Sequence, residues 1–191
     1  MTKKTTALQN QPAAEWVAVE KLKPWAKNPR KNARAVKVVV ESIRAFGWGA
    51  PIIARRENGE IVAGHTRHLA VPVLAAQWKA ASVEERKAWH TEAAEIARTG
   101  RVPVRYVDLT EQAAHALALA DNRAHEFSGW EDAQLREVLE SLDASDRLAA
   151  GFDDDYLEAL REITDPLELD GEGNKPTPDA QHACPKCGFK F

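Results

Sequence analysis

The chain has 191 residues, of which 44% are apolar, so it is long enough for one domain with a buried core and appendages. No apolar run approaches the length of a membrane span and the N-terminus lacks a signal-peptide core, so we expect a cytoplasmic protein without a membrane partner. The net charge of −3 hides an uneven distribution, with ten Lys/Arg against three Asp/Glu over residues 1–50 and ten Asp/Glu against two Lys/Arg over 151–180. The basic part is typical of a surface for nucleic acid or phosphate and the acidic part of a linker or of a mask over it, with a merely solvated surface as the alternative for both.

The N-terminal half alternates β-branched runs with turn residues around one helical pattern. In chain order we predict a disordered leader (1–14), a strand (16–19), a loop fixed by two prolines (22–30), a helix (33–45), and two strands (51–55 and 60–63) joined by a turn at 57–59. The helix is predicted because Val36, Val39 and Ile43 fall on one face of a 3.6-residue period.

The C-terminal half is predicted to be mainly helical. In chain order we predict a helix over 69–79 that Pro72 interrupts or kinks, a charged helix over 82–99, a strand over 102–107, a helix over 110–121 that a polar break at 121–123 ends, a helix through 135–142, and a helix that begins after Gly151. An acidic Pro/Gly-rich linker (164–181) and a short tail (182–191) follow.

The segment Ile61–His68 is the strongest candidate for a binding site. A β-branched run stops at Gly64, and a basic segment then opens into a helix. In such a turn the backbone N–H groups converge on an anion, and the helix dipole adds to the attraction. Arg67 would supply a side-chain donor to the same anion. The segment therefore predicts a phosphate site, with an ordinary turn as the alternative.

Three motifs in this order resemble those of the ParB/sulfiredoxin superfamily: Gly47-Trp48-Gly49-Ala50-Pro51-Ile52, Gly64-His65-Thr66-Arg67 and Asp121-Asn122-Arg123. The second and third look most similar to the ParB-like domains of phages and mobile elements that accompany DNA methyltransferases. The resemblance covers residues 15–127, with an insertion at about 77–100, and is followed by a helical extension over 128–163. It implies an α+β fold, a small mixed sheet with packed helices, to which the helical C-terminal extension and a zinc-knuckle-like tail are attached.

The resemblance also implies a site for a nucleoside triphosphate, CTP or ATP, with Mg²⁺. The first motif would shape the base or phosphate side through Gly47, Gly49 and Pro51, and Trp48 would either stack on a base or pack in the core. Phosphates would be held by Gly64, His65, Thr66, Arg67 and Arg123, with His68 nearby. Asp121 and Asn122 would face the metal, and a helix cap is the alternative for this pair.

The implied function is that of a nucleotide-binding, DNA-associated protein, with slow NTP hydrolysis as a further expectation. DNA would bind through phosphate contacts from the basic residues Lys21, Lys23, Lys27, Arg30, Lys31 and Arg34. Two alternatives stay open: an enzyme of the same fold, a nuclease or phosphotransferase, and a non-catalytic accessory to a separate DNA methyltransferase. A homodimer is also expected. Sulfiredoxin chemistry is set aside because His65-Thr66 stands where that turn needs a cysteine.

The tail carries the motif Cys184-Pro185-Lys186-Cys187, which is half of a zinc site. Two thiolates on such a turn can bind one ion, and His182 is a candidate third ligand. A structural zinc ion takes four ligands, so a partner chain, a distant histidine or water would complete the set. A degenerate remnant with two free thiols is the alternative.

Overall fold

A computed structural model describes residues 14–165, and its centre is a four-stranded mixed sheet. The strands are β1 (Glu15–Ala18), β2 (Ile52–Arg55), β3 (Ile61–Ala63) and β4 (Arg101–Val107), in the order β1-β4-β2-β3. β4 lies antiparallel to β1 and parallel to β2, and β2 lies antiparallel to β3. The predicted α+β class with a small mixed sheet is confirmed.

Eight α-helices surround or extend this sheet in the described part of the chain. They are α1 (Ala33–Phe46), α2 (His65–Ala80), α3 (Val83–Lys87), α4 (Thr91–Thr99), α5 (Glu111–Phe127), α6 (Asp132–Ser141), α7 (Ala144–Ala150) and α8 (Asp154–Thr164). A 3-10 turn over Val19–Lys21 follows β1. None of the helices within residues 14–165 has both the length and the apolar character needed to cross a membrane.

The two faces of the sheet are covered by different helices, because successive strand side chains point to opposite sides. Ile61 packs into the main core with α1, α2 and α4, whose innermost residues include Val40, Leu74 and Ile96. The next residue, Val62, packs with buried alanines of α5 in a smaller cluster. The sheet thus holds the N-terminus of α2 and the face of α5 near each other.

The helical extension is attached to the rest of the fold through α1. Helices α6 and α8 form a small core of their own from Leu135, Leu139, Leu157 and Leu160, while α7 packs on α1. Gly151 follows α7 with φ +95°, and a Cβ there would lie 2.8 Å from Cγ1 of Val38. Any larger residue at this position would therefore be strained and would also clash with α1.

Three predictions about the elements are corrected by the structure, and one helix has no counterpart among the predictions. The segment 82–99 forms two helices, because Ser82 caps α3 with a reciprocal Ser–Glu capping box and the chain turns again before α4. Helix α2 begins at His65 and runs on through Pro72. No break occurs at 121–123: α5 continues to Phe127, and none of the three polar side chains is buried in the core. Helix α7 was not predicted.

Candidate functional site

The turn between β3 and α2 requires a glycine for two reasons. Gly64 has φ +96° and ψ 20°, a left-handed conformation that residues with a Cβ rarely adopt. A Cβ there would also lie 3.1 Å from Cγ1 and 3.3 Å from Cα of Ile52. The first turn of α2 contains no acidic residue and Gly64 offers no side-chain cap, so its leading N–H groups are open to an anion.

This turn lies on a cavity of about 460 Å³ formed by four parts of the chain. The lining residues come from the loop before α1, from α1, from the β3–α2 turn and from α5: Asn28, Arg30, Asn32, Val39, Val62, Ala63, Gly64, His65, Thr66, Arg67, Asp121, Asn122 and His125. The structure therefore brings the second and third motifs together, although Asp121 lies 54 positions after Arg67 in the sequence.

Arg67 is the cation best placed to hold an anion in this cavity. Burial lowers its pKa, and the nearby charge of Asp121 only partly offsets that effect. Among the described residues, no carboxylate lies within 4 Å of its guanidinium and no hydrogen bond to it is formed. A partly desolvated, unpaired guanidinium gains from an anionic ligand, because a charge-assisted hydrogen bond replaces the water it has lost.

His65 is fixed in one neutral form. Its Nε2 accepts a hydrogen bond from the backbone N–H of Trp25 at 3.3 Å, so the ring proton of the neutral form resides on Nδ1. Burial and the nearby His68 lower the pKa of His65, and Glu60 partly opposes them. Both effects favour the neutral ring, in which Nδ1 carries the N–H donor.

His68 does not line the cavity. It lies along a separate apolar groove with Leu22, Val71 and Pro72, on another side of α2. Burial lowers its pKa, while a hydrogen bond with the backbone of Val19 raises it. His68 directly follows Arg67 and is therefore turned about 100° from it around α2, which places His68 on this groove and not on the cavity wall.

Opposite the Gly64 turn, α5 presents polar atoms to the cavity. The Nδ2 of Asn122 donates to the carbonyl of Ala118 at 2.8 Å, which leaves its Oδ1 as a free acceptor. One turn on, Nδ1 of His125 donates to the carbonyl of Asp121 at 2.7 Å, which leaves its Nε2 as an acceptor. His125 was missed in the sequence, because the predicted break at 121–123 hid its i+4 relation to Asp121.

The oxygen atoms of Asp121 and Asn122 suit Mg²⁺, which takes one or two protein oxygens when phosphates and water supply the rest. The carboxylate of Asp121 has no ion pair within 4 Å, and the amide oxygen of Asn122 is free, so both are available. Within residues 14–165, no three His, Cys, Asp or Glu side chains converge as a self-sufficient metal site. The donor set therefore fits Mg²⁺ held jointly with a phosphorylated ligand.

Arg123 lies apart from the cavity. Its guanidinium pairs with Glu126 at 2.6 Å and lies over the ring of Phe127, 4.3 Å from the ring centroid. Since it neighbours Asn122 on a helix, its side chain is turned about 100° away. The structure thus does not bring Arg123, expected to bind phosphate, to the cavity wall, whereas His125 of the same helix does line it.

The first motif is also not part of the cavity wall. Trp48 is 3% exposed within the main core, and its backbone N–H donates to Glu92 at 2.9 Å, so its ring is not presented for stacking on a base. A Cβ on Gly47 would lie 2.7 Å from Nδ1 of His90, so close packing against His90 accounts for a glycine at this position. Gly49 and Pro51 are likewise outside the lining.

The predicted DNA-contacting residues form an exposed basic stretch before and within the start of α1. Lys21, Lys23, Lys27, Arg30, Lys31 and Arg34 are all exposed. Arg30 also lines the cavity, which joins this stretch to the candidate phosphate site. Among the described residues, none of the six is in an ion pair. His182, Cys184 and Cys187 lie outside the described residues, and zinc binding there stays a prediction.

Comparison with known proteins reveals a similarity of fold to a solved structure. No family model and no curated protein matches the chain. Among solved structures, the C-terminally truncated chromosome-partitioning protein ParB from Caulobacter crescentus, complexed with CTP-gamma-S, superposes with a TM-score of 0.55 at 19% identity. The match covers 84% of this chain and 83% of that one. The chain thus has a ParB-like fold.

Proposed function

We propose that the cavity binds a nucleoside triphosphate together with Mg²⁺, and that the protein is a nucleotide-binding, DNA-associated protein. The observation that carries the proposal is the meeting of an uncapped helix N-terminus and the unpaired Arg67 with the free oxygens of Asp121 and Asn122 across one cavity. The ParB structure of like fold holds CTP-gamma-S, which supports a nucleotide as the ligand.

The polarity of the cavity gives each end of a nucleotide a different environment. The phosphates would lie against the N–H groups of 65–67 and the guanidinium of Arg67, with Mg²⁺ between them and α5. The rest of the lining includes two amides, Asn28 and Asn32, and the apolar Val39, a combination suited to the polar edge and flat face of a base. The volume of about 460 Å³ lies within the range of small-molecule sites.

The binding proposal is tested by calorimetric titration of the full chain with CTP, ATP, GTP and UTP in Mg²⁺, followed by the monophosphates. We expect one or more triphosphates to bind and the matching monophosphate to bind at least about tenfold more weakly, because the phosphate end supplies the charged contacts. Equal affinity for triphosphate and monophosphate would contradict the assignment of the Gly64 turn to phosphate.

Slow hydrolysis of the triphosphate is a further part of the proposal. Bound Mg²⁺ supplies charge neutralisation of the phosphates. His125 lines the cavity, and its Nε2, which has no hydrogen bond within the described part of the chain, would accept a proton from water, while the Nε2 of His65 already accepts from Trp25. We expect His125→Gln to lower phosphate release more than tenfold without weakening binding by as much; release unchanged in this variant would exclude that role.

Association with DNA is proposed through the exposed basic stretch. Its unpaired side chains can neutralise phosphates and release counterions, so affinity for duplex DNA is expected to fall steeply with salt. The variant Lys27→Glu/Lys31→Glu/Arg34→Glu should reduce both affinity and the salt slope, measured by fluorescence anisotropy. A slope equal to that of the wild type would show that DNA binds elsewhere. A phage or mobile-element setting, a methyltransferase partner and zinc in the tail stay predictions that rest on the motifs.

A further inference from the structure

Two surfaces of opposite charge lie in one molecule. The basic segment, defined as residues 21–37, contains seven Lys/Arg and no Asp/Glu. The acidic face, defined as the helical part from Trp130 to Asp165, contains twelve Asp/Glu and three Arg. Nearly all of these carboxylates are exposed. The small net charge of the chain therefore conceals two strong charge patches of opposite sign.

The three arginines of the acidic face form ion pairs with carboxylates of the same face. Arg136 pairs with Glu140 and Asp165, Arg147 with Asp154, and Arg161 with Glu140 and Glu158. Other carboxylates in the described part of the face, including Glu131, Asp132, Glu137, Asp155 and Glu162, have no ion pair. Within residues 14–165, no further cation pairs with these carboxylates.

An aromatic cluster lies on the same face. The rings of Trp130 and Phe152 are 6.0 Å apart between centroids, and those of Phe152 and Tyr156 are 5.1 Å apart, both in edge-on geometry. Trp130 is 67% exposed, although a tryptophan gains from burial. Exposed rings beside unpaired carboxylates bind lysine and arginine side chains by cation–π contacts and ion pairs together.

The two patches adjoin at the contact between α1 and α7. Val38, which follows directly after the basic segment, is the residue that approaches Gly151 on the acidic face. Val38 is 42% exposed and Leu148 of α7 is 61% exposed, so the boundary between the patches is apolar. Adjoining patches of opposite sign complement one another when a second copy is rotated by 180° about an axis through their boundary.

We propose that the acidic face binds the basic segment of a second copy of this chain, in a closed two-fold dimer that masks the basic segment from DNA. The dimer then contains two equivalent contacts, and in each of them the acidic face of one copy neutralises the basic segment of the other. Val38 and Leu148 provide the apolar centre of the interface. The dimer does not depend on the nucleotide site, whereas its competition with DNA rests on the proposed DNA-binding role.

Sedimentation velocity on the full chain, with a reducing agent and EDTA so that the tail cysteines cannot link copies, tests the dimer first. In 50 mM NaCl we expect a concentration-dependent dimer, whose dissociation constant rises at least about tenfold in 500 mM NaCl because salt screens exposed pairs. A monomer at every concentration up to about 200 µM in low salt, or a dimer indifferent to salt, would overturn the proposal.

Two variants and a control distinguish this interface from any other. Glu131→Lys/Asp155→Lys alters the acidic face; Glu131 makes no side-chain cap to α6, so its replacement removes no structural bond. Lys27→Glu/Lys31→Glu alters the basic segment, and Glu84→Lys on α3 is an exposed charge reversal outside both patches. Each double variant alone should be monomeric, the control should dimerise, and an equimolar mixture of the two double variants should form a heterodimer, because one of the two contacts is intact. Absence of pairing in the mixture, with both variants folded by circular dichroism, would overturn the assignment.

Duplex DNA tests the masking separately. Adding a 20-bp duplex to the wild-type dimer should produce protein–DNA complexes containing monomers, and the Glu131→Lys/Asp155→Lys variant should bind the same duplex more tightly than the wild type. A stable complex of the intact dimer on one duplex would refute masking while leaving the dimer in place. No DNA binding by either protein would refute the proposed DNA role and, with it, the masking.

Discussion

Arg67 offers the sharpest test of the candidate site, because the chain supplies a matched control. Arg67→Ala removes an unpaired guanidinium from the cavity, whereas Arg123→Ala removes one that pairs with Glu126 outside it. A charge-assisted hydrogen bond to phosphate contributes about 1.5–3 kcal/mol, so we expect Arg67→Ala to weaken triphosphate binding by about 10- to 150-fold. Arg123→Ala should leave the dissociation constant within about twofold of the wild type, since an exposed ion pair contributes little.

The same substitution has a distinctive effect on stability. Burial lowers the pKa of Arg67, which means that the folded protein holds this charge at some cost in the absence of a ligand. Arg67→Ala should therefore unfold at the same or a higher temperature than the wild type, while losing nucleotide affinity. Both quantities can be read by calorimetry on one sample. Equal loss of affinity in Arg67→Ala and Arg123→Ala, or loss in neither, would contradict the assignment of Arg67 as a phosphate ligand in the cavity.

Three further outcomes are expected. Gly64→Ala should lower the free energy of unfolding in urea by about 1–3 kcal/mol, because φ +96° disfavours a Cβ and Ile52 crowds it; an unchanged midpoint would contradict this. Asp121→Asn should weaken nucleotide binding in Mg²⁺ but not in EDTA, and equal weakening in both would exclude a metal role. Because burial lowers the pKa of His65 and His68 below the ordinary 6.5, the unfolded chain binds more protons below that pH, so stability should decline as the pH falls from 7.5 to 5.5. His65→Gln should flatten this decline, measured by urea titration at both pH values.

Much of the fold follows from local signals in the sequence. Apolar residues at helical spacing fixed α1 to within a residue, and the β-branched runs on either side of a Glu-Asn-Gly turn located β2 and β3. The Gly64 turn was predictable because a strand, a glycine and a basic helix start are adjacent in the chain. These signals are all short-range, so they do not depend on tertiary contacts.

The residues that complete the cavity had no such signal. Asn28 and Asn32 lie in a loop whose path depends on packing around Trp25, and they meet α5 only through the folded sheet. The break expected at 121–123 is absent because buried alanines of α5 anchor the preceding turns, and polar residues on the outer face then cost the helix little. The sequence could not decide whether Trp48 stacks on a base or packs in the core, because an aromatic residue in a glycine-rich turn suits either role. The structure buries it in the core.

The central claim is that a nucleoside triphosphate lies between the Gly64 turn and α5. A crystal structure of the full chain with Mg²⁺ and a non-hydrolysable analogue of the triphosphate that binds best tests it most directly. We expect phosphate oxygens within about 3.2 Å of the backbone nitrogens of residues 65–67 and of the Arg67 guanidinium, with the metal on the side of Asp121 and Asn122. A nucleotide found at the apolar groove beside His68, or one whose phosphates point away from Gly64, would contradict it.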